Sequence, residues 1–117
     1  SRAIRSAYAT APQARLILHA GDLINRANTD LEWGEWHGAG GWVNGMVPSL
    51  PTPGNHEYAK TSGLDGHWRP QFALPENGPR GLEETAYFVD FQGVRFVSLN
   101  SEEKTDLGRH FANKIWN

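Results

Sequence analysis

Short apolar runs separated by glycine and proline are the dominant pattern of this chain. Residues 15–20 are apolar and rich in branched side chains, which predicts a buried strand that stops at a glycine. A second strand is predicted at about 49–53. Residues 85–91 and 94–100 flank Gln92-Gly93, a two-residue connection that predicts an antiparallel hairpin because glycine accepts positive φ.

Helical spacing of apolar residues is confined to three other segments. Residues 1–9 predict a short helix ahead of the first strand. Residues 30–43 carry tryptophans among polar residues and predict a helix that Asp30 caps and that loosens at Gly38, Gly40 and Gly41. Residues 104–116 suggest a final helix. The expected fold is therefore α/β, with a mixed sheet, flanking helices and long loops.

Composition narrows the classes of function. The 117 residues suffice for one domain, and 13 glycines with 7 prolines predict long loops. A net charge of −2 argues against a nucleic-acid partner, because such proteins usually present a basic surface. The absence of cysteine excludes disulfides and thiolate sites. No stretch approaches the roughly 20 apolar residues that cross a bilayer, so no membrane partner is predicted.

Two polar turns carry the candidate chemistry. Gly21-Asp22 follows the first predicted strand, and Gly54-Asn55-His56-Glu57 follows the second. Loops at the carboxyl ends of strands converge on one edge of an open α/β sheet, where ligands bind. A carboxylate such as Asp22 can bridge two divalent cations, and an asparagine amide such as Asn55 is a neutral oxygen ligand. If the backbone is extended there, His56 points away from Asn55 toward a substrate, where it can donate a proton.

The same residues also have plainer interpretations. Asp-Gly pairs are frequent in turns, and His56 could be an ordinary turn histidine. His19 is interpreted as a core histidine with a hydrogen-bond partner, and His37 and His67 as packing or loop residues, with substrate contact as the alternative for His67. The tryptophans are predicted to anchor the core and loops, and an exposed Trp36 or Trp68 could instead bind carbohydrate. A solvated acidic face is predicted for Asp30, Glu32, Glu35, Glu83, Glu84, Glu102 and Glu103.

The order of the two turns resembles the calcineurin-like metallophosphoesterase superfamily, in which Gly-Asp and Gly-Asn-His-(Asp/Glu) are two of the motif blocks that build a two-metal site. The flanking sequence looks most like the bacterial purple acid phosphatase-like branch, on the evidence of residues 33–42 before the second turn and of Tyr58, residues 74–79 and residues 87–91 after it. This resemblance implies a four-layer α/β/β/α sandwich, Asp22 and Asn55 as metal ligands, and His56 as the catalytic residue. It implies that Glu57 accepts a hydrogen bond that fixes the His56 tautomer or a backbone amide.

The chain departs from the family pattern in two ways. No Asp-x-His block precedes Asp22, and no later ligand histidine or Gly-His-x-His block follows residue 100, so residues 1–117 are expected to be part of a longer catalytic domain. Purple acid phosphatases have a tyrosine three residues after the aspartate, where this chain has Asn25. Two divalent ions of zinc, manganese or iron(II) and a colourless protein are therefore expected.

The resemblance implies hydrolysis of phosphate monoesters by a hydroxide that two metal ions activate. A phosphodiesterase or nucleotidase of the same superfamily is the first alternative. A non-catalytic fragment with a structural or partner-binding role is the second. These residues alone are expected to bind metal weakly and to turn over little substrate. Secretion or export to the periplasm is expected from the resemblance only.

Overall fold

A computed structural model describes residues 2–59 and 63–103 of the chain. Helix α1 (Arg2–Thr10) precedes strand β1 (Ile17–Ala20), and helix α2 (Asp30–Gly40) continues into a 3₁₀ helix, Gly41–Gly45. Strand β2 (Ser49–Thr52) is followed by a 3₁₀ turn, Asn55–Glu57. The short strands β3 (Tyr58–Ala59) and β4 (Gly63–Leu64), helix α3 (Trp68–Gln71) and the hairpin β5 (Tyr87–Phe91) and β6 (Val94–Ser98) complete the order. The predicted helix at 104–116 lies outside the described residues.

Parallel and antiparallel pairing both occur, so the α/β class is confirmed. Strands β1 and β2 pair in parallel, with Ile17 opposite Ser49 and Ala20 opposite Thr52. Strands β5 and β6 form the predicted antiparallel hairpin, and both turn residues have positive φ. Within the described part of the chain, the strands form three separate two-stranded sheets.

Side-chain hydrogen bonds attach the hairpin to the parallel pair. The hydroxyl of Tyr87 donates to the carbonyl of Pro51 at 2.7 Å, and the hydroxyls of Thr52 and Ser98 lie 2.7 Å apart. Burial raises the pKa of Tyr87 to about 12, so its hydroxyl stays protonated and remains a donor. The end of β2, from which the second motif turn leaves, is thus held by the hairpin.

A tryptophan-rich core lies between α2 and α3. Trp33, Trp68 and Ile24 are buried together. The ring centroids of the two tryptophans are 6.5 Å apart in an edge-on arrangement. Each indole N–H has a carbonyl partner, Ala27 for Trp33 and Glu84 for Trp68. The role of core anchor is therefore confirmed for both tryptophans, and the expectation that Trp68 could be exposed is wrong.

Three local expectations are corrected by the structure. The first strand begins at Ile17, and its Leu18 is 60% exposed, so the strand is covered on one face only by the residues that the structure describes. Helix α2 ends at Gly40 because Gly41 leaves the helix with φ +52. Its N-cap is Thr29, which makes no side-chain capping bond, so Asp30 is the first helical residue and not the cap.

No helix within residues 2–59 and 63–103 is long and apolar enough to cross a bilayer.

Glu57 connects the two turns that follow β1 and β2. Its side chain has no exposed surface. One carboxylate oxygen accepts the backbone N–H groups of Asp22 at 2.9 Å and Gly54 at 2.7 Å, and the other accepts that of Leu23 at 2.6 Å. A buried anion is tolerated where such donors surround it, because they replace the hydration that it loses.

Close approach of the two backbones makes this arrangement possible. A Cβ on Gly21 would lie 2.7 Å from the Cα of Gly54, and a Cβ on Gly54 would overlap the carboxylate of Asp22. Gly21 also has φ +85, a conformation that glycine adopts without the cost that a side chain brings. The two turns therefore touch through backbone atoms.

His67 joins α2 to the segment between β4 and α3. One ring nitrogen bonds to Asp65 and the other lies 2.8 Å from a carboxylate oxygen of Asp30. Asp65 first, and then Asp30, raises the pKa of His67 above its ordinary value of 6.5. His67 is therefore a loop residue, as expected, whose ring also contacts two carboxylates, and Asp30 is an exposed residue, as expected, that contacts His67.

We predict that Glu57→Gln lowers the free energy of unfolding by about 2–3 kcal/mol, because an amide nitrogen cannot accept the backbone N–H groups that the carboxylate now holds. Urea denaturation measures this change. Glu76→Gln, which alters an exposed glutamate, is the matched control and leaves the midpoint unchanged. Equal midpoints for the two variants would contradict the role given to Glu57.

We predict that His67 makes stability depend on pH near neutrality. Since its folded pKa is raised, the stabilisation is complete below 6.5 and is lost as the pH rises through the folded value. His67→Gln should remove this part of the pH dependence, whereas His37→Gln on α2 should keep it. Unfolding curves at a series of pH values measure the effect, and an unchanged slope in His67→Gln would refute it.

Candidate functional site

Asp22 stands in a turn whose backbone conformation is unusual for a residue with a side chain. Its φ is +53, and the preceding Gly21 is also in the positive region. Aspartate is among the few residues that enter this region readily, and such positions are concentrated at functional sites. The hydrogen bonds from the Asp22 and Leu23 amides to Glu57 hold the turn in this conformation.

The side chain of Asp22 reaches the second turn. Its Oδ1 accepts the backbone N–H of His56 at 3.1 Å. That nitrogen is bonded to the carbonyl carbon of Asn55, so the carboxylate lies within about 6 Å of the Asn55 Cα. Both Asp22 and Asn55 are exposed, and the remaining lone pairs of the carboxylate are free to bind a ligand. The structure thus brings together the two turns that carry the expected ligands.

The donor set at this point fits part of a divalent-cation site. A carboxylate and a side-chain amide oxygen are ligands that magnesium, manganese, zinc and iron(II) accept. Within residues 2–59 and 63–103, no three histidine, aspartate or glutamate side chains come close enough to hold an ion by themselves. Asp22 and Asn55 would need further ligands, and their assignment as metal ligands stays a prediction.

His56 is held by a hydrogen bond that fixes its tautomer. Its Nδ1 lies 2.8 Å from the backbone carbonyl oxygen of Asn25. Because a carbonyl oxygen only accepts, Nδ1 must carry the proton in this contact. The other ring nitrogen, Nε2, lies on the opposite side of the ring, away from the Asn25 carbonyl. It is the nitrogen available to exchange a proton with a bound molecule.

Two expectations about the second turn need revision. Residues 55–57 form a 3₁₀ turn and not an extended segment, so alternation along a strand does not set the direction of His56. The contact with Asn25 sets it instead. For Glu57, the backbone-amide alternative is confirmed, and the alternative that it fixes the His56 tautomer is wrong.

An open cleft of about 960 Å³ lies beside His56. Residues 25–28 line it together with Asn55, Tyr58 and Glu102. The hydroxyl oxygen of Tyr58 accepts a hydrogen bond from the Asn100 amide at 2.7 Å, and burial raises the pKa of Tyr58. A neutral phenol can still donate its own proton to a ligand in the cleft. Sequence reasoning did not single out Arg26 or Asn28, because no motif marks them, and it noted Tyr58 only as part of the flanking resemblance.

Glu32 is fixed by three hydrogen bonds instead of lying on a solvated face. Its Oε2 accepts the backbone N–H groups of Asn25 at 2.8 Å and Arg26 at 2.7 Å. Its Oε1 accepts Arg26 Nε at 2.7 Å. The Arg26 side chain holds the pKa of Glu32 below its ordinary value. The sequence gives little sign of this role. Glu32 differs from the other acidic residues only because it lies at the start of a helix, seven residues after Asn25.

Polar contacts are also found for two residues that sequence patterns left uncertain. His19, half-buried on β1, lies with Nε2 3.2 Å from the hydroxyl of Ser49, and burial lowers its pKa. The expected polar partner is therefore present, but His19 is half-buried and does not belong to the buried core. Glu84 accepts the backbone N–H of Leu74 at 3.3 Å and faces Arg69, so it too is more than solvated surface.

Comparisons with known proteins indicate the family to which this chain belongs. The family model of the calcineurin-like phosphoesterases matches residues 2–115, nearly the whole chain. Neither the search of curated proteins nor that of solved structures finds a significant match. The matched region includes both motif turns and the cleft beside His56. On this evidence the chain belongs to the calcineurin-like phosphoesterase family.

Proposed function

We propose that this chain is part of the catalytic domain of a metal-dependent phosphoesterase that hydrolyses phosphate monoesters. The observation that carries the proposal is the contact between the Asp22 carboxylate and the His56 amide, 3.1 Å apart, where the loops after two adjacent parallel strands meet. Family membership supports metal-dependent phosphoester hydrolysis. The preference for monoesters and the purple acid phosphatase-like branch are proposed from the sequence resemblance.

Asp22 and Asn55 are the proposed metal ligands. When bound, divalent ions supply positive charge that stabilises the charge on a phosphoryl group. Asn25 stands where purple acid phosphatases have their tyrosine, so we propose two divalent ions and no ferric centre. We propose that the further ligands lie in other segments of the catalytic domain, because no Asp-x-His block precedes Asp22 and no Gly-His-x-His block follows residue 100. A secreted or periplasmic location is proposed on resemblance alone.

His56 is the proposed proton donor to the leaving oxygen of the ester. Because Nδ1 keeps its proton in the bond to Asn25, Nε2 can donate a proton only from the doubly protonated ring, the imidazolium. General acid catalysis of this kind typically contributes 10²–10⁴-fold, since the leaving alkoxide is a poor leaving group without a proton. The cleft beside His56 has room for the phosphoryl group and part of its ester substituent.

We predict that His56→Ala in the complete protein lowers kcat by at least about 10²-fold for an alkyl phosphate such as glycerol 2-phosphate, whose leaving alkoxide needs a proton. The loss should be smaller for p-nitrophenyl phosphate, whose phenolate leaves readily without one. The assay supplies zinc, manganese or iron(II) in turn. His37→Ala, an exposed histidine on α2, is the control and retains activity. Faster turnover of bis-p-nitrophenyl phosphate by the unmodified protein would favour the diesterase alternative. No turnover of either compound would favour a non-catalytic role.

We also predict that Asp22→Asn lowers the metal content of the complete protein after dialysis, because an amide cannot replace the charge of a bridging carboxylate. The asparagine oxygen still accepts the His56 N–H, which limits any effect on folding. Elemental analysis measures bound metal per chain. Asp90→Asn, an exposed aspartate on the hairpin, should retain the metal, and equal loss in both variants would argue against the assignment of Asp22.

A further inference from the structure

One peptide group lies between Glu32 and His56. The carbonyl of Asn25 and the N–H of Arg26 belong to the same planar, trans peptide, so they point in opposite directions. The N–H donates to Glu32 Oε2 at 2.7 Å. The carbonyl accepts the Nδ1 proton of His56 at 2.8 Å. The plane of this peptide is therefore fixed at both ends.

Glu32 also holds the groups next to this peptide. The N–H of Asn25 donates to the same Oε2 at 2.8 Å, and Arg26 Nε secures the second carboxylate oxygen. Glu32 is in the first turn of α2, whose Trp33 is buried in the core, so the carboxylate has a rigid base. Its side chain is only 16% exposed, although the segment it holds is at the surface.

The charge of Glu32 also affects the strength of the bond to His56. A carboxylate at the N–H end of a peptide polarises that peptide and makes its carbonyl oxygen a better acceptor. A stronger acceptor favours the Nδ1–H tautomer of the neutral ring and holds the ring plane in one orientation. Without Glu32, the Asn25–Arg26 peptide has no described partner at its N–H end and is free to rotate.

We propose that Glu32 is a positioning residue for His56, acting through the Asn25–Arg26 peptide group to hold the imidazole with Nδ1 protonated and Nε2 available to the cleft. The inference rests on the proposed function for its consequence in catalysis. The hydrogen-bonded relay itself consists only of contacts among this chain's residues, so it is tested separately from the reaction.

The first test is spectroscopic and needs no substrate. In the complete protein labelled with ¹⁵N-histidine, the neutral His56 ring should show a protonated Nδ1 whose proton exchanges slowly. Glu32→Ala should shift the ring toward the Nε2–H tautomer and speed the exchange, and Glu32→Gln should give an intermediate result. An unchanged His56 spectrum in Glu32→Ala would overturn the proposal. If that variant does not fold, the spectrum of Glu32→Gln decides in the same way.

The second test is kinetic. Glu32→Ala should lower kcat for glycerol 2-phosphate about tenfold or more with little change in KM, as is typical when a residue that orients a catalytic group is removed. Glu76→Gln, an exposed glutamate between α3 and β5, is the matched control and should retain kcat. A raised KM with unchanged kcat would overturn the proposal. Absence of phosphoesterase activity in the unmodified protein would overturn the proposed function, while the His56 spectrum would still decide the role of Glu32.

Discussion

The buried carboxylate of Glu57 is the contact on which the arrangement of the candidate site depends. It accepts backbone N–H groups from both motif turns, which are separated by more than thirty residues in sequence. Each turn ends a strand of the same parallel pair, so the strands bring the turns near each other and the carboxylate fixes their separation. The contact of Asp22 with the His56 amide follows from that separation.

A second carboxylate plays a comparable part on the outer side of the site. Glu32 holds the amides of Asn25 and Arg26, just as Glu57 holds those of Asp22 and Leu23. Four of the five residues 22–26, all except Ile24, are thus bound through their backbone N–H groups to carboxylates. A loop of this length would otherwise fluctuate, and the positions of its side chains would be poorly defined.

Much of the local structure could be predicted because it depends on neighbouring residues. The Gln92-Gly93 hairpin, helix α1 and the strand before Pro53 follow from turn chemistry and apolar spacing, and the Gly-Asp and Gly-Asn-His-Glu turns were enough to indicate the family. What could not be predicted depends on contacts between distant segments. In the sequence, Glu32 looks like any acidic residue of a helix, although it binds the Arg26 amide. The direction predicted for the His56 side chain assumes an extended backbone, whereas residues 55–57 form a 3₁₀ turn.

The backbone contact between Gly21 and Gly54 fixes the distance between the two motif turns, whereas the side chains around the cleft can vary. Because the two motif turns touch through peptide atoms, the distance between them does not depend on the size of any side chain. The cleft beside His56, in contrast, is lined by side chains such as Arg26, Asn28 and Tyr58. Replacement of these residues can therefore change the shape of the cleft while the spacing of the two turns stays the same.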